Sequence, residues 1–304
     1  MEIQILPNQF VFQRNGCTVY LKRDDLIHPT VSGNKFRKLK YNLSHAKAHH
    51  HSTIVTYGGA FSNHIAATAA AGQLEGFKTI GIIRGEELGV NLEKTLSGNP
   101  TLAIAHECGM DFDFISREEY RDKDKDRFRE SVLKKYHNPY IMPEGGTNAL
   151  AVKGCQEILT DEDEVFDFVC CAAGTGGTAS GIINSLKSHQ KALIFPALKG
   201  NWMQEEIEKY TINNKWELIS DYHFGGYAKV NVELVRFINE FKRTYDVQLD
   251  PIYTGKMMYG VSRLVDEGFF PKDSRILAVH TGGLQGIAGM NILLEKKGLP
   301  KLHI

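Results

Sequence analysis

Neither sign of charge predominates in this sequence: 36 Lys and Arg offset 36 Asp and Glu. No net field draws such a chain to nucleic acid or to an anionic membrane, so a small-molecule partner is expected instead. No stretch approaches the roughly 18 apolar residues that a membrane span needs, and the opening MEIQILPNQF lacks the basic and then apolar order of a secretory leader. Cysteine is sparse. Cys17, Cys108, Cys155, Cys170 and Cys171 are odd in number and none belongs to a C-x-x-C pair, the reduced usage of an intracellular chain. A cytoplasmic protein is expected. There is neither a Pro- or Ser-rich linker nor an internal repeat, so two domains, if 304 residues hold two, must be interleaved.

What is present is ordinary globular material: 42% hydrophobic residues, 24% charged, and 29 glycines spread along the chain, which imply many turns rather than disorder. Short β-branched runs alternate with helical patterns, the signature of an α/β protein with parallel sheets covered by helices. Strands are expected at 52–57, 78–83, 166–172, 192–198 and 275–280. Helices are expected at 34–48, 63–75, 117–136, 148–159, 178–187, 231–245, 256–267 and 284–296. The segment 117–136 carries acids and bases three and four apart, a solvated face laced with weak ion pairs. His45, His49, His50 and His51 have no Cys, Asp or Glu nearby to complete a metal site, so they read as a solvated helix end, and no metal is expected.

Three stretches carry chemistry. GTGGTASG (174–181) follows the apolar run FDFVCCAA and opens a helical pattern, so it is a glycine-rich strand-to-helix turn. Glycines let a backbone approach an anion, and the free N–H groups and dipole of the helix start hold it. Gly174, Gly176 and Ala179 also fit G-x-G-x-x-A, but the next strand ends in Lys199-Gly200 rather than in the carboxylate a dinucleotide ribose requires. No G-K-[ST] follows either, which leaves a smaller phosphate ligand such as pyridoxal 5'-phosphate (PLP). In SGNKFRKLKY (32–41) Lys35 and Lys38 lie three apart on one helix side, where one suits an imine and the other a phosphate. In TYGGAFSNH (56–64) a strand turns through Gly-Gly into Ser62-Asn63-His64 at a helix start; Ser62 fits an N-cap, and the same donors suit a substrate carboxylate.

LKRDDL (21–26), SGNKFRKLKY (32–41), YGGAFSNH (57–64), EGGTN (144–148), AGTGGTASG (173–181), DPIYTGKMMYG (250–260) and HTGG (280–283) occur together and in order. With them the chain resembles the fold-type-II PLP enzymes of the tryptophan synthase β family, in the branch of 1-aminocyclopropane-1-carboxylate (ACC) deaminase and D-cysteine desulfhydrase. The resemblance implies that Lys35 forms the Schiff base with PLP. Lys38, Thr175, Gly176, Gly177 and Thr178 would hold the phosphate, and Asn63 the ring oxygen. Ser62, Tyr227 and Tyr253 would act on substrate. It implies a large PLP-binding domain (1–44 and 149–304), a small inserted domain (45–148), a cleft between them and a homodimer.

Two positions depart from the deaminase pattern, which has Glu and Leu where this chain has Thr254 and Thr281. A carboxylate opposite the pyridine nitrogen makes the ring a deep electron sink, whereas a hydroxyl can donate to a neutral nitrogen. Opening a cyclopropane needs the deep sink; expelling thiolate needs less. The expected reaction is therefore α,β-elimination from a small amino acid, with D-cysteine giving pyruvate, ammonia and sulfide. ACC deamination, elimination from another β-substituted amino acid, and a non-catalytic ligand-binding protein on the same fold are the alternatives.

Overall fold

A computed structural model describes residues 7–28 and 30–304. Residues 1–6, on which the leader-free reading largely rests, and Pro29 lie outside the described residues. The strands, in chain order, are β1 (Gln9–Arg14), β2 (Cys17–Lys22), β3 (Thr53–Gly59), β4 (Lys78–Arg84), β5 (Asp111–Ile115), β6 (Tyr140–Met142), β7 (Phe168–Ala173), β8 (Lys191–Pro196), β9 (Trp216–Leu218) and β10 (Arg275–Val279). The helices are α1 (Asn34–Ala48), α2 (Asn63–Glu75), α3 (Leu92–Gly98), α4 (Pro100–Glu107), α5 (Arg117–Arg121), α6 (Asp126–Lys135), α7 (Ala149–Cys155), α8 (Gly177–Ser185), α9 (Trp202–Glu208), α10 (Val232–Tyr245), α11 (Thr254–Asp266) and α12 (Gly286–Lys296).

Two open sheets result. The larger runs β1-β2-β10-β7-β8-β9, and the smaller runs β5-β4-β3-β6. Every pairing is parallel except the β1–β2 hairpin. The parallel strands are apolar nearly throughout because helices cover both faces. One core cluster packs α10, α11 and α12 on the larger sheet, and a second packs α8 and α9 on its other side. In the smaller sheet α2 supplies an alanine-rich face (Ala66, Ala67, Ala69, Ala70, Ala71) whose small side chains let the helix lie close to the strands.

The elements that differ from expectation have local causes. Over 117–136 there are two helices, α5 and α6, with a turn between them. The intervening Asp122, Asp124 and Lys125 have no apolar face to bury, and the Lys123 ammonium bridges Asp124 at 3.1 Å and Glu144 at 3.3 Å. Over 148–159 the α-helix ends at Cys155 and tightens into a 3-10 turn to Ile158. The hairpin β1–β2 was not anticipated, although Asn15-Gly16 marks it: both have positive φ (52° and 76°), as a two-residue hairpin turn demands. His45 and His49 stack at 4.0 Å between ring centroids on α1. Among the described residues no group of three or more His, Cys, Asp or Glu is arranged to hold a metal, and no helix is long and apolar enough to cross a membrane. All five cysteines are free thiols.

Two close backbone approaches fasten α1 beneath the site. Gly33 sits at φ 62°, and a Cβ there would lie 2.1 Å from the Thr281 carbonyl oxygen. On the far side of α1, a Cβ on Gly154 of α7 would lie 2.0 Å from the Arg37 carbonyl oxygen. Gly154→Ala is therefore expected to lower stability by about 2–3 kcal/mol through overpacking, despite the roughly 1 kcal/mol gain in helix propensity. Urea denaturation checks this; a midpoint unchanged from wild type would show that α1 and α7 are free to separate.

Candidate active site

The strands of both sheets end on one cavity of about 490 Å³, within the few-hundred-Å³ range of ligand pockets. Gly59 ends β3, Arg84 ends β4, and Glu144 follows β6; from the larger sheet come Ala173 at the end of β7 with Gly174 after it, Leu198 after β8, and Thr281 after β10. This is where parallel α/β sheets offer ligand sites, since turns and helix N-termini converge at the carboxyl ends of strands.

Lys35 and Lys38 reach the cavity from the first turns of α1. Burial, with the Lys38 charge as second cause, lowers the Lys35 pKa to about 7. Burial also lowers that of Lys38. The three donors of the Lys38 ammonium are spent on the Gly145 carbonyl (3.0 Å) and the hydroxyls of Thr147 (2.9 Å) and Thr175 (3.3 Å). Lys38 thus tethers the 145–147 segment to the glycine-rich turn while adding positive charge beside it.

That turn fits a phosphate. Gly176 takes φ 77°, no side chain caps α8, and the first N–H groups of the helix are left for an anion. Thr175, Gly176 and Thr178 lie on the wall, and Asn34 donates to the Thr178 hydroxyl at 2.8 Å. Gly177 is set behind it: a Cβ there would meet the Thr147 side chain at 2.8 Å. A turn of backbone donors, two hydroxyls and a lysine, with a second lysine held partly neutral in the same cavity, is the donor set that PLP requires.

Ser62 occupies the N-cap position of α2, but its side chain makes no capping bond, so the expectation of a cap is not met. Ser62 Cβ lies over Gly58, where an added Cβ would be 2.9 Å away. Ser62 and Asn63 line the cavity, and the Asn63 amide lies close against Gly283 and Gly286. Tyr227 and Tyr253 also line it, in a T-shaped pair with centroids 6.3 Å apart. Burial raises the pKa of both, that of Tyr253 well above its ordinary value, so both stay protonated donors.

Thr254 is turned elsewhere. Its hydroxyl donates to Asp250 Oδ1 at 2.7 Å and accepts from the Asp250 N–H at 2.9 Å, it is fully buried, and it is not on the cavity wall. Asp250 organises the start of α11, taking the N–H groups of Ile252, Tyr253 and Thr254, and Thr254, the residue expected opposite a pyridine nitrogen, is engaged in that cap. Thr281 does line the cavity.

Several wall residues escaped sequence reasoning, among them His64, Arg84 and Glu144. His64 stood in a noted motif without a role. Its Nε2 donates to the Thr56 hydroxyl (2.8 Å), which donates to the Met142 carbonyl (3.1 Å), and burial followed by the charges of Lys35 and Lys38 keeps the ring neutral. Arg84 closes an apolar strand with no local signal, since only the sheet register sets it beside Gly59.

The family described as pyridoxal-phosphate dependent enzyme matches residues 3–282. A Thermotoga maritima protein with a provisional 1-aminocyclopropane-1-carboxylate deaminase name is 31% identical over 94% of this chain and 96% of its own. An Arabidopsis thaliana protein named as a bifunctional D-cysteine desulfhydrase/1-aminocyclopropane-1-carboxylate deaminase is 30% identical over 90% of this chain and 74% of its own. A solved structure described as an ACC deaminase homologue superimposes with a TM-score of 0.80 at 27% identity, covering 94% of this chain and 90% of that one.

Proposed function

Because this chain belongs to the pyridoxal-phosphate-dependent enzyme family, we propose that it is a lyase catalysing α,β-elimination from a small amino acid, with D-cysteine as substrate and pyruvate, ammonia and sulfide as products. The observation that carries the choice over ACC is on the wall of the cavity. Thr281 stands there on the side of the larger sheet, and the one carboxylate on the wall among the described residues, Glu144, is on the side of the smaller sheet, paired to Lys123. Nothing on the larger-sheet side of the wall would hold a proton on a pyridine nitrogen, so the sink suits a good leaving group better than a strained ring.

PLP, when bound, supplies the electron sink for charge developing at the α-carbon. The residues divide the remaining work. Lys35 would be the covalent anchor, and its amine would take the α-proton, a task suited to a pKa of about 7. The α8 N-terminus with Thr175, Gly176, Gly177 and Thr178 holds the phosphate, assisted by the charge of Lys38; Asn63 meets the ring oxygen. Ser62 and the free N–H groups at the start of α2 take the substrate carboxylate. Tyr227 and Tyr253, as protonated phenols, donate to the departing group. The chain works in the cytoplasm, as a homodimer, on a large domain (1–44 and 149–304) and a small one (45–148).

Purified holoenzyme offered D-cysteine, L-cysteine, D-serine, β-chloro-D-alanine and ACC is expected to release 2-oxoacid from D-cysteine with a kcat/KM at least about 100-fold above that for ACC, a difference of roughly 3 kcal/mol in transition-state stabilisation. ACC turnover equal to or above that of D-cysteine would establish the deaminase reading instead.

A further inference from the structure

Arg84 has a guanidinium on the cavity wall and no carboxylate to answer it. It ends β4 in register with Gly59, and the nearest atom a Gly59 Cβ would meet is Arg84 Nη2, at 3.5 Å, so the absent side chain leaves the guanidinium lying over the turn that leads to Ser62 and Asn63. The Tyr120 ring supports it from beneath, with Cζ 5.6 Å from the centroid. Among the described residues no Asp or Glu lies within ion-pair distance of Arg84, and Glu144 on the same wall is engaged by Lys123 at 3.3 Å. The Arg84 charge is felt at Tyr227, the phenol that faces the departing group in the elimination reading, where it opposes the upward shift.

Two cationic elements therefore stand side by side at this end of the cavity: the uncapped start of α2 and the Arg84 guanidinium. A substrate with one carboxylate satisfies the first and leaves the second, an exposed side chain, to water. We propose that Arg84 is a specificity residue for a second negative charge, so that amino acids whose β-substituent is itself anionic, such as a phosphate ester or an S-sulfonate, enter the same elimination alongside D-cysteine. Guanidinium geometry suits such groups, because its fork of donors matches two oxygens of a carboxylate, phosphate or sulfonate. In the elimination the α-proton passes to the enzyme and the bond from the β-carbon to oxygen or sulfur breaks. Its electron pair leaves on the phosphate or thiosulfate, a double bond forms between the α- and β-carbons, and water converts the released enamine to pyruvate and ammonium. No oxidant or reductant is consumed. The inference rests on the elimination reading for the identity of the leaving group, but the anion contact itself can be read without turnover.

The test measures binding of succinate and of butyrate to holoenzyme by calorimetry, in wild type, Arg84→Gln and Arg84→Lys. Expected is succinate at least tenfold tighter than butyrate in wild type, a ratio near one in Arg84→Gln, and part of the preference retained in Arg84→Lys. In parallel, the ratio of kcat/KM for O-phospho-D-serine to that for β-chloro-D-alanine is expected to fall at least tenfold in Arg84→Gln. A succinate preference that is absent in wild type, or unchanged in Arg84→Gln, overturns the proposal. So does an equal loss of affinity for both acids, since Arg84 would then grip the first carboxylate. If succinate behaves as expected but no amino acid yields 2-oxoacid, the elimination reading falls while the Arg84 contact stands.

Discussion

Lys35→Ala is expected to lose all borohydride-reducible PLP and to lower elimination by on the order of 10³-fold or more. Only an amine can make the bond, and the cavity offers two. Lys38 has its three donors committed to Gly145, Thr147 and Thr175, whereas Lys35 has burial and a neighbouring cation holding its pKa at about 7. An ordinary exposed lysine, with a pKa near 10.4, is less than about 0.1% neutral at pH 7; Lys35 is half neutral there. The pH dependence follows from the sign of the shift. Capture of PLP by wild-type apoprotein, read from the visible absorbance of the adduct, is expected to rise roughly tenfold between pH 6 and 8 and then level off, because the neutral fraction saturates above the lowered pKa. A lysine with an unshifted pKa would keep gaining tenfold per unit through pH 9. A reducible adduct persisting in Lys35→Ala would put the bond on another residue.

Lys38→Ala and Gly176→Val are each expected to raise the PLP dissociation constant by about 30- to 100-fold, the equivalent of roughly 2–3 kcal/mol. The two substitutions attack the phosphate by different routes. Lys38→Ala removes a buried charge and takes their shared donor from Thr147 and Thr175, whose hydroxyls also bond each other at 2.6 Å. Gly176→Val puts a β-branched side chain at φ 77°, where its Cβ would sit 3.3 Å from Ile207, and so distorts the turn that presents the α8 N–H groups. Equilibrium dialysis of apoprotein against PLP measures the effect, with urea midpoints of the same apoproteins separating lost recognition from lost fold. A dissociation constant unchanged in both variants would place the phosphate elsewhere.

Glycine placement explains much of what was legible beforehand. GTGGTASG is a contiguous motif in which strand, turn and helix start are neighbours in sequence, so its phosphate-binding character needs no tertiary information. α1 and α2 were legible for the same reason: their bounds are marked locally by Gly33 and by Ser62 and Gly76, the last at φ 77°. Lys35, Lys38, Ser62 and Asn63 sit in those first turns, and the structure brings all of them to one cavity with Thr175, Tyr227 and Tyr253.

Local pattern fails where the decisive interaction is distant. The run 117–136 has helical spacing throughout, yet Lys123 is shared between its neighbour Asp124 and the distant Glu144, and nothing in the run itself shows the second partner. Thr254 reads as a site residue by its place in DPIYT, and only the structure shows that its hydroxyl bonds Asp250 at the start of α11. Arg84 is the reverse case. It ends β4 without any motif and reaches the cavity because parallel pairing sets it opposite Gly59. The sequence by itself determined the helix starts, the phosphate turn and the paired lysines, since those are set by residues within a few positions of one another. The tertiary structure alone decided which side chains face the ligand and which charge is left unanswered, because burial and charge balance depend on neighbours brought together from opposite sheets.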